Sequence, residues 1–313
     1  MTLAFLFPGQ GSQAVGMGKD LADAFATARE VFQEVDDALS QKLSSLMFEG
    51  PETELTLTEN TQPALMAVSV AAARVLQKDF GIDLAAKGSY AAGHSLGEYS
   101  ALCALGALGL ADTARLLKLR GQAMQKAVPV GEGAMAALLG LDLDVAQTVV
   151  DEAAQGEVLG CANDNGPGQV VISGKKTAVE RALDVAKAKG GKRAILLPVS
   201  APFHCALMQP AADAMQEALD RVTLNPPRLP VVSNVTAKGE SNPADIKKLL
   251  VAQVTGLVRW RECTLWLAQQ GVQRAVEIGT GKVLAGLVKR IEKSVEASSL
   301  NSPADLEAWA KSV

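Results

Sequence analysis

The residues with the most chemical meaning lie in the stretch from Ala91 to Leu105, AAGHSLGEYSALCAL, where a histidine, a serine and a glutamate interrupt an apolar run. Gly93-His94-Ser95-Leu96-Gly97 has the form G-x-S-x-G, with a short apolar strand before it and good helix formers after it. In that setting the two glycines permit a sharp strand-to-helix turn that lifts the serine hydroxyl above a sheet. Ser95 would also sit at a helix N-terminus, where backbone N–H groups and the dipole favour a developing negative charge. The expected chemistry is nucleophilic attack by Ser95.

A serine hydroxyl reacts near neutral pH only when a base takes its proton. The chain has two histidines. His94 adjoins Ser95 on the strand, and alternation of side chains points it away from the hydroxyl. His204, in PVSAPFHCALM, is therefore the expected base. It follows a strand and two prolines and is expected to open an amphipathic helix whose dipole lowers its pKa and keeps it neutral. No acidic residue between Ser95 and His204 stands out as a third member, so the orienting group is expected to be something other than a carboxylate, such as a backbone carbonyl that accepts the Nδ1 proton.

The segment 111–127, ADTARLLKLRGQAMQKA, has helical periodicity. Thr113, Leu116, Leu117, Ala123, Met124 and Ala127 form an apolar arc, with Arg115, Lys118, Gln122 and Lys126 opposite. Arg120 falls within the apolar arc. A guanidinium keeps its charge, so burying it without an anion is costly. Its partner is either Glu98 or a carboxylate on the substrate, and a bidentate pair with the latter would select a dicarboxylic acyl group.

Near the amino terminus, LFPGQGSQAVGMG follows a first strand. Its glycines satisfy a permissive dinucleotide pattern, but Pro8 intrudes and no second strand ending in an acid follows. A turn in this place instead supplies the second donor of an oxyanion hole, Gln10, the first being the N–H of Leu96. GTGKV at 279–283 is not a phosphate loop, because Val276 and Val283 occupy the positions that need Gly and Ser or Thr.

The elements that must position these groups alternate. The apolar runs LAFLF, SYAAGH, AILLPV, LPVVS and RAVEIG are interleaved with helical patterns, the signature of a mostly parallel sheet covered by helices on both faces. Between Val128 and Pro198 the order becomes β-α-β-β-α-β, that of a small ferredoxin-like unit inserted into the α/β core. A chain of 313 residues with 48% hydrophobic content is ample for such a core. The net charge of −4 argues against a broad nucleic-acid or membrane footprint. The apolar stretch 90–111 holds His94, Glu98 and four glycines and reads as a core element rather than a membrane span. Four scattered cysteines without a CxxC pair read as reduced thiols of a cytoplasmic protein, with no metal site.

The motifs FPGQGSQ, TQPAL, GHSLGEYSAL, RGQAMQ, GQVVISG, PFHCALM, PVVSNV and EIGTGKVLAGLVKRI run in order along essentially the whole chain. Together they resemble the malonyl-CoA:acyl carrier protein transacylases of bacterial fatty acid synthesis. The resemblance implies an α/β-hydrolase-like core over 1–127 and 199–313 and a ferredoxin-like subdomain over 128–198. It implies ping-pong transfer of malonate from coenzyme A to Ser95 and then to the phosphopantetheine thiol of an acidic, transiently bound carrier protein. By position, His204 matches the base, Arg120 the malonate clamp, and Gln10 and Leu96 the oxyanion donors. Gln253, in AQVTGLVRW, matches the residue whose backbone carbonyl orients the histidine. Gln62, Asn163 and Asn165 match positions near the pocket and the pantetheine path. Phe203 resembles malonyl-selective relatives in polyketide synthases, where a bulky ring fills the space of an α-methyl group. No cofactor is implied beyond the coenzyme A thioester as substrate, and a monomer is expected. Lys187, Lys189, Lys192, Arg193, Lys289 and Arg290 are candidates for docking the carrier. A serine thioesterase or esterase, an acyltransferase serving a polyketide synthase, and a non-catalytic docking module remain open as alternatives.

Overall fold

The computed structural model describes residues 2–313. Its strands are β1 (Thr2–Phe7), β2 (Tyr90–Gly93), β3 (Gly133–Leu139), β4 (Leu159–Gly166), β5 (Gln169–Lys175), β6 (Arg193–Leu196), β7 (Val231–Val232), β8 (Gly239–Glu240), β9 (Val272–Ile278) and β10 (Glu296–Leu300). The larger sheet has the order β10-β9-β1-β2-β7-β8, and every pairing in it is parallel except β7 with β8.

β1 is apolar from Leu3 to Phe7 because helices cover both faces of the sheet. Leu3, Phe5 and Phe7 point into one core, while Ala4 and Leu6 point into the other. Phe5 and Phe7 are fully buried, and truncating either to alanine would cost about 3–5 kcal/mol. The 21-residue helix Thr58–Lys78, buried over most of its length, lies in the first of these cores.

The smaller sheet, β4-β5-β3-β6, is wholly antiparallel. The helices Leu143–Ala154 and Lys176–Ala188 pack on it around a third core that includes Val149, Ile172 and Val179. The order of these elements is the β-α-β-β-α-β expected between 128 and 198.

Two local expectations are corrected, and one strand is added. AILLPV, read both among the core runs and as the last strand of the inserted unit, is the latter: β6 pairs only with β3, and β7 occupies the place beside β2. As an edge strand, β6 leaves Ile195 and Leu196 exposed. β10, EASSL, is a large-sheet edge strand that apolar patterning did not reveal, because only Ala297 and Leu300 of its five residues are buried. The helix expected to begin at His204 begins at Gln209, after a 3-10 turn over Ala206–Met208.

Candidate active site

β1 and β2 run side by side with Phe7 opposite Gly93, so the chain leaves both strands at the same carboxyl edge. That edge is where open α/β sheets bind ligands. After β2 the chain turns sharply into the helix Gly97–Ala104, with Ser95 at φ 51°. The turn is possible only because both flanking residues lack a Cβ. One built on Gly93 would lie 1.9 Å from the Gly97 carbonyl carbon, and one on Gly97 would lie 2.2 Å from the Phe7 oxygen.

His204 is buried, with its own backbone at φ 56°. Its Nε2 lies 2.8 Å from Ser95 Oγ, and its Nδ1 lies 2.9 Å from the Gln253 carbonyl oxygen. A backbone carbonyl only accepts, so Nδ1 carries the proton and Nε2 is free to receive one from the serine. Burial, reinforced by the positive charge of Arg120, pushes the His204 pKa down to about 3. The dipole of the helix that follows, expected from sequence, is not the cause, since that helix starts five residues later and a 3-10 turn intervenes.

Arg120 is 1% exposed, on the inner face of the helix Leu110–Ala127. Gly121 brings this helix against the start of Thr58–Lys78, where an added Cβ would meet the Glu59 Cα at 2.4 Å. Arg120 Nη1 donates to Gln62 Oε1 at 2.7 Å, and Nη2 donates to Gln253 Oε1 at 2.9 Å and to Ser95 Oγ at 3.1 Å. Its guanidinium carbon lies 5.8 Å from the centre of the Tyr99 ring. Among the described residues no carboxylate comes within ion-pair distance of it. Glu98, one of the two partners open from sequence, instead accepts the backbone N–H of Asn234. The buried cation is thus held by neutral oxygens and keeps its charge available.

Two relays extend from Arg120. Gln62 Nε2 donates to Thr58 Oγ1 at 2.9 Å, and Thr58 Oγ1 donates to Gln10 Oε1 at 2.9 Å, tying the guanidinium to the loop after β1. On the other side Gln253 Nε2 donates to the Ser95 carbonyl at 3.0 Å. Because a trans peptide directs its C=O and the next N–H oppositely, this contact fixes the direction of the Leu96 N–H. Neither that N–H nor the Gln10 N–H donates to another group among the described residues.

The cavity around these groups has a volume of about 580 Å³. Gln10, Gln62, Ser95, Leu96, Arg120, Phe203 and His204 line it from the core side, and Met135, Asn163 and Leu197 line it from the small-sheet side. Asn165 is not at its wall. Its Oδ1 lies 2.9 Å from His94 Nε2, a bond that joins the serine turn to β4. Gln253 is likewise fully buried behind the wall and reaches the site through its carbonyl and amide.

Sequence reading missed Asn234. It is fully buried just after β7, accepts the Ser95 N–H at 2.7 Å through Oδ1, and donates to the Gly93 carbonyl at 2.8 Å through Nδ2. Its signal was the PVVSNV motif, in which a polar pair closes an apolar strand. No helix among the described residues is long and apolar enough to cross a membrane.

Residues 4–304 match the family model described as the acyl transferase domain. The malonyl CoA-acyl carrier protein transacylase of Escherichia coli K12 is 49% identical over 305 residues, covering 97% of each chain. The crystal structure of an acyl-carrier-protein S-malonyltransferase from Bartonella henselae superposes with a TM-score of 0.97 at 55% identity, over 100% of this chain and 99% of the other. A malonyl-transacylase in complex with its type II PKS acyl-carrier protein superposes at 0.96 with 46% identity over the full length of both.

Proposed function

Because this chain belongs to the acyl transferase domain family, we infer that it moves a malonyl group from coenzyme A to the phosphopantetheine thiol of an acyl carrier protein through an ester on Ser95. The observation that carries the reading is the continuous hydrogen-bonded chain Arg120–Ser95–His204–Gln253 opening on one cavity.

In the first half-reaction Ser95 Oγ attacks the thioester carbon as its proton passes to His204 Nε2. The negative charge that develops on the carbonyl oxygen is received by the Leu96 and Gln10 N–H groups, each such donor being worth roughly 10²–10³ in rate. The imidazolium is stabilised through Nδ1 by the Gln253 carbonyl. The tetrahedral intermediate collapses by breaking the C–S bond, and His204 returns its proton to the departing sulfur. In the second half-reaction the carrier thiol gives its proton to His204 and attacks the ester carbon, and Ser95 leaves with that proton.

Arg120 receives the free carboxylate of the malonyl group. An arriving carboxylate competes for the Nη2 donor now shared with Ser95 Oγ, so it draws charge away from the serine as it docks. Phe203, in the wall directly before the base, limits the space at the α-carbon. Asn163 lines the path toward the small sheet.

An acidic carrier is drawn by local basic groups despite the overall negative charge. Lys192 and Arg193 are exposed where β6 leads to the cavity-lining residues 197–199, which supports docking there, and Lys289 and Arg290 are exposed as well. Lys189 is paired with Glu152 at 2.9 Å and is the weaker candidate. A cytoplasmic setting is supported by four cysteines that are all free thiols. The relative bound to a polyketide carrier favours a second reading of the acceptor alone, with the same chemistry serving polyketide synthesis.

Intact protein exposed to malonyl-CoA should gain one malonyl group on Ser95 and pass it on when a holo carrier protein is added. Steady release of free malonate without a carrier would establish a thioesterase instead. Retention of carrier-dependent function by Ser95→Ala would establish a docking module.

A further inference from the structure

We propose that Asn234 and Glu98 are positioning residues that hold the Ser95 turn in register, with the Asn234 side chain standing in for a missing stretch of β-strand.

β7 pairs with β2 through Val231 and Val232 only, opposite Ala91 and Ala92. Beyond Val232 the backbone turns away, closed by Ala237 N–H to Ser233 C=O at 2.9 Å and Ser233 N–H to Lys238 C=O at 3.0 Å. The ladder therefore stops one residue short of Gly93 and leaves the Gly93 C=O and the Ser95 N–H facing an interior with no strand beside them. In a parallel ladder one residue donates to the carbonyl before its opposite number and accepts from the N–H after it. Opposite His94, those two groups are the Gly93 C=O and the Ser95 N–H. Asn234 meets both with its side-chain amide, donating through Nδ2 at 2.8 Å and accepting through Oδ1 at 2.7 Å. The amide reproduces the bonding of a peptide unit where the strand has ended.

Asn234 is itself held from three sides. Its backbone N–H donates to the Glu98 carboxyl, its carbonyl accepts the Arg259 N–H at 3.0 Å, and Gln253 Nε2 lies 3.3 Å from its Oδ1. Glu98 lies in the first turn of the helix that follows Ser95 and is 3% exposed. The contact therefore closes a loop from the end of β2, through Asn234, to the helix entry. A serine at φ 51° relaxes readily toward an ordinary backbone conformation unless its neighbours prevent it. Such relaxation would move Oγ away from His204 and turn the Leu96 N–H away from the cavity.

The inference rests on Ser95 being the acyl acceptor, and malonylation of the unaltered chain tests that premise separately. The experiment is rapid-mixing acylation by malonyl-CoA of Asn234→Ala, Asn234→Asp, Glu98→Ala and Glu98→Gln, with intact mass at the end point. Asn234→Asp keeps an oxygen for the Ser95 N–H but sets a second oxygen against the Gly93 carbonyl. Both Asn234 variants should still reach one malonyl group per chain, with the acylation rate reduced about 10²-fold and KM for malonyl-CoA within about threefold of the parent. Glu98→Ala should slow acylation about tenfold, and Glu98→Gln, which keeps an oxygen for the Asn234 N–H, should recover most of that loss. An acylation rate within about threefold of the parent in the Asn234 variants would overturn the proposal. So would a loss confined to the fraction of chains that acylate, which is the mark of a merely structural role. If Asn234→Ala is not recovered folded, the Glu98 pair decides the same question through the rescue by glutamine. An unaltered chain that takes no malonyl group on Ser95 would overturn the functional reading instead.

Discussion

Ser95 and His204, 109 residues apart in the chain, both hold a left-handed backbone and meet through a single 2.8 Å hydrogen bond. Neither position has the glycine that takes this conformation freely, so each costs about 1–2 kcal/mol relative to a relaxed residue. The surrounding bonds over-determine both. Gln253 alone holds the His204 ring by its carbonyl and the Ser95 carbonyl by its amide. The proton path from oxygen to nitrogen is thus set before any substrate arrives.

Replacing Arg120 with alanine should change which acyl group is preferred. A charge-assisted contact to a carboxylate contributes about 1.5–3 kcal/mol, or roughly 10- to 10²-fold in kcat/KM for malonyl-CoA. Acetyl-CoA has no carboxylate to lose, so the ratio of kcat/KM for malonyl over acetyl donors should fall by that factor. Equal losses for both donors would remove the clamp from the mechanism.

Phe203→Ala should admit an α-methyl group. Discrimination by a single methyl in an apolar pocket is worth about 1–3 kcal/mol. The preference for malonyl-CoA over methylmalonyl-CoA should fall about tenfold or more, measured in direct competition for Ser95. An unchanged ratio would show that another wall sets the selectivity.

The acid limb of the pH profile should lie far below that of an ordinary histidine. With its pKa pushed down to about 3, His204 is neutral in the free enzyme throughout the range above pH 5. Acylation measured as kcat/KM should therefore be flat from pH 7 to 5, where an unshifted imidazole would lose most of its activity. The same shift has a stability cost of known sign. The unfolded chain takes up a proton near pH 6.5 that the folded chain refuses, so this contribution to stability declines as pH falls below 6.5.

Glu98 acts in the opposite direction. Burial, only partly offset by the Asn234 N–H, holds its pKa up to about 8 against 4.5 in the unfolded chain. The folded state binds the extra proton, so stability is lost as pH rises between those values, by up to about 1.4 kcal/mol per pH unit. Glu98→Gln should flatten the decline of Tm between pH 5 and 8. A Tm profile parallel to that of the parent would show that the carboxyl is ionised in the folded protein.

The gathering of Ser95, His204 and Arg120 around one cavity was legible in the sequence for three separate reasons. Ser95 lies in a local motif, His204 is one of only two histidines, and Arg120 breaks an apolar arc. Each is a departure from an otherwise regular pattern. What stayed hidden has no pattern to depart from. Every residue has a carbonyl, so periodicity could not pick out that of Gln253, and it entered by family resemblance. Asn234 acts because β7 is two residues long, a length set by the packing of distant segments. The low pKa of His204 comes from depth and from Arg120 rather than from the helix that follows it, and depth is a tertiary property. In the fold, the mostly parallel core and the small antiparallel sheet followed from alternation, whereas the polar edge strand β10 did not.

The cavity walls come from two sheets, and the division of labour between them is uneven. Ser95, His204, Arg120, Leu96 and Gln10 belong to the parallel sheet, its loops and its helices, while Met135 and Asn163 reach in from the antiparallel sheet and Leu197 from just beyond its edge strand β6. Changes to those three residues can reshape the channel while leaving the reactive geometry in place. A chain built this way is free to drift toward new carriers and longer acyl groups by altering one wall, without redesigning its chemistry.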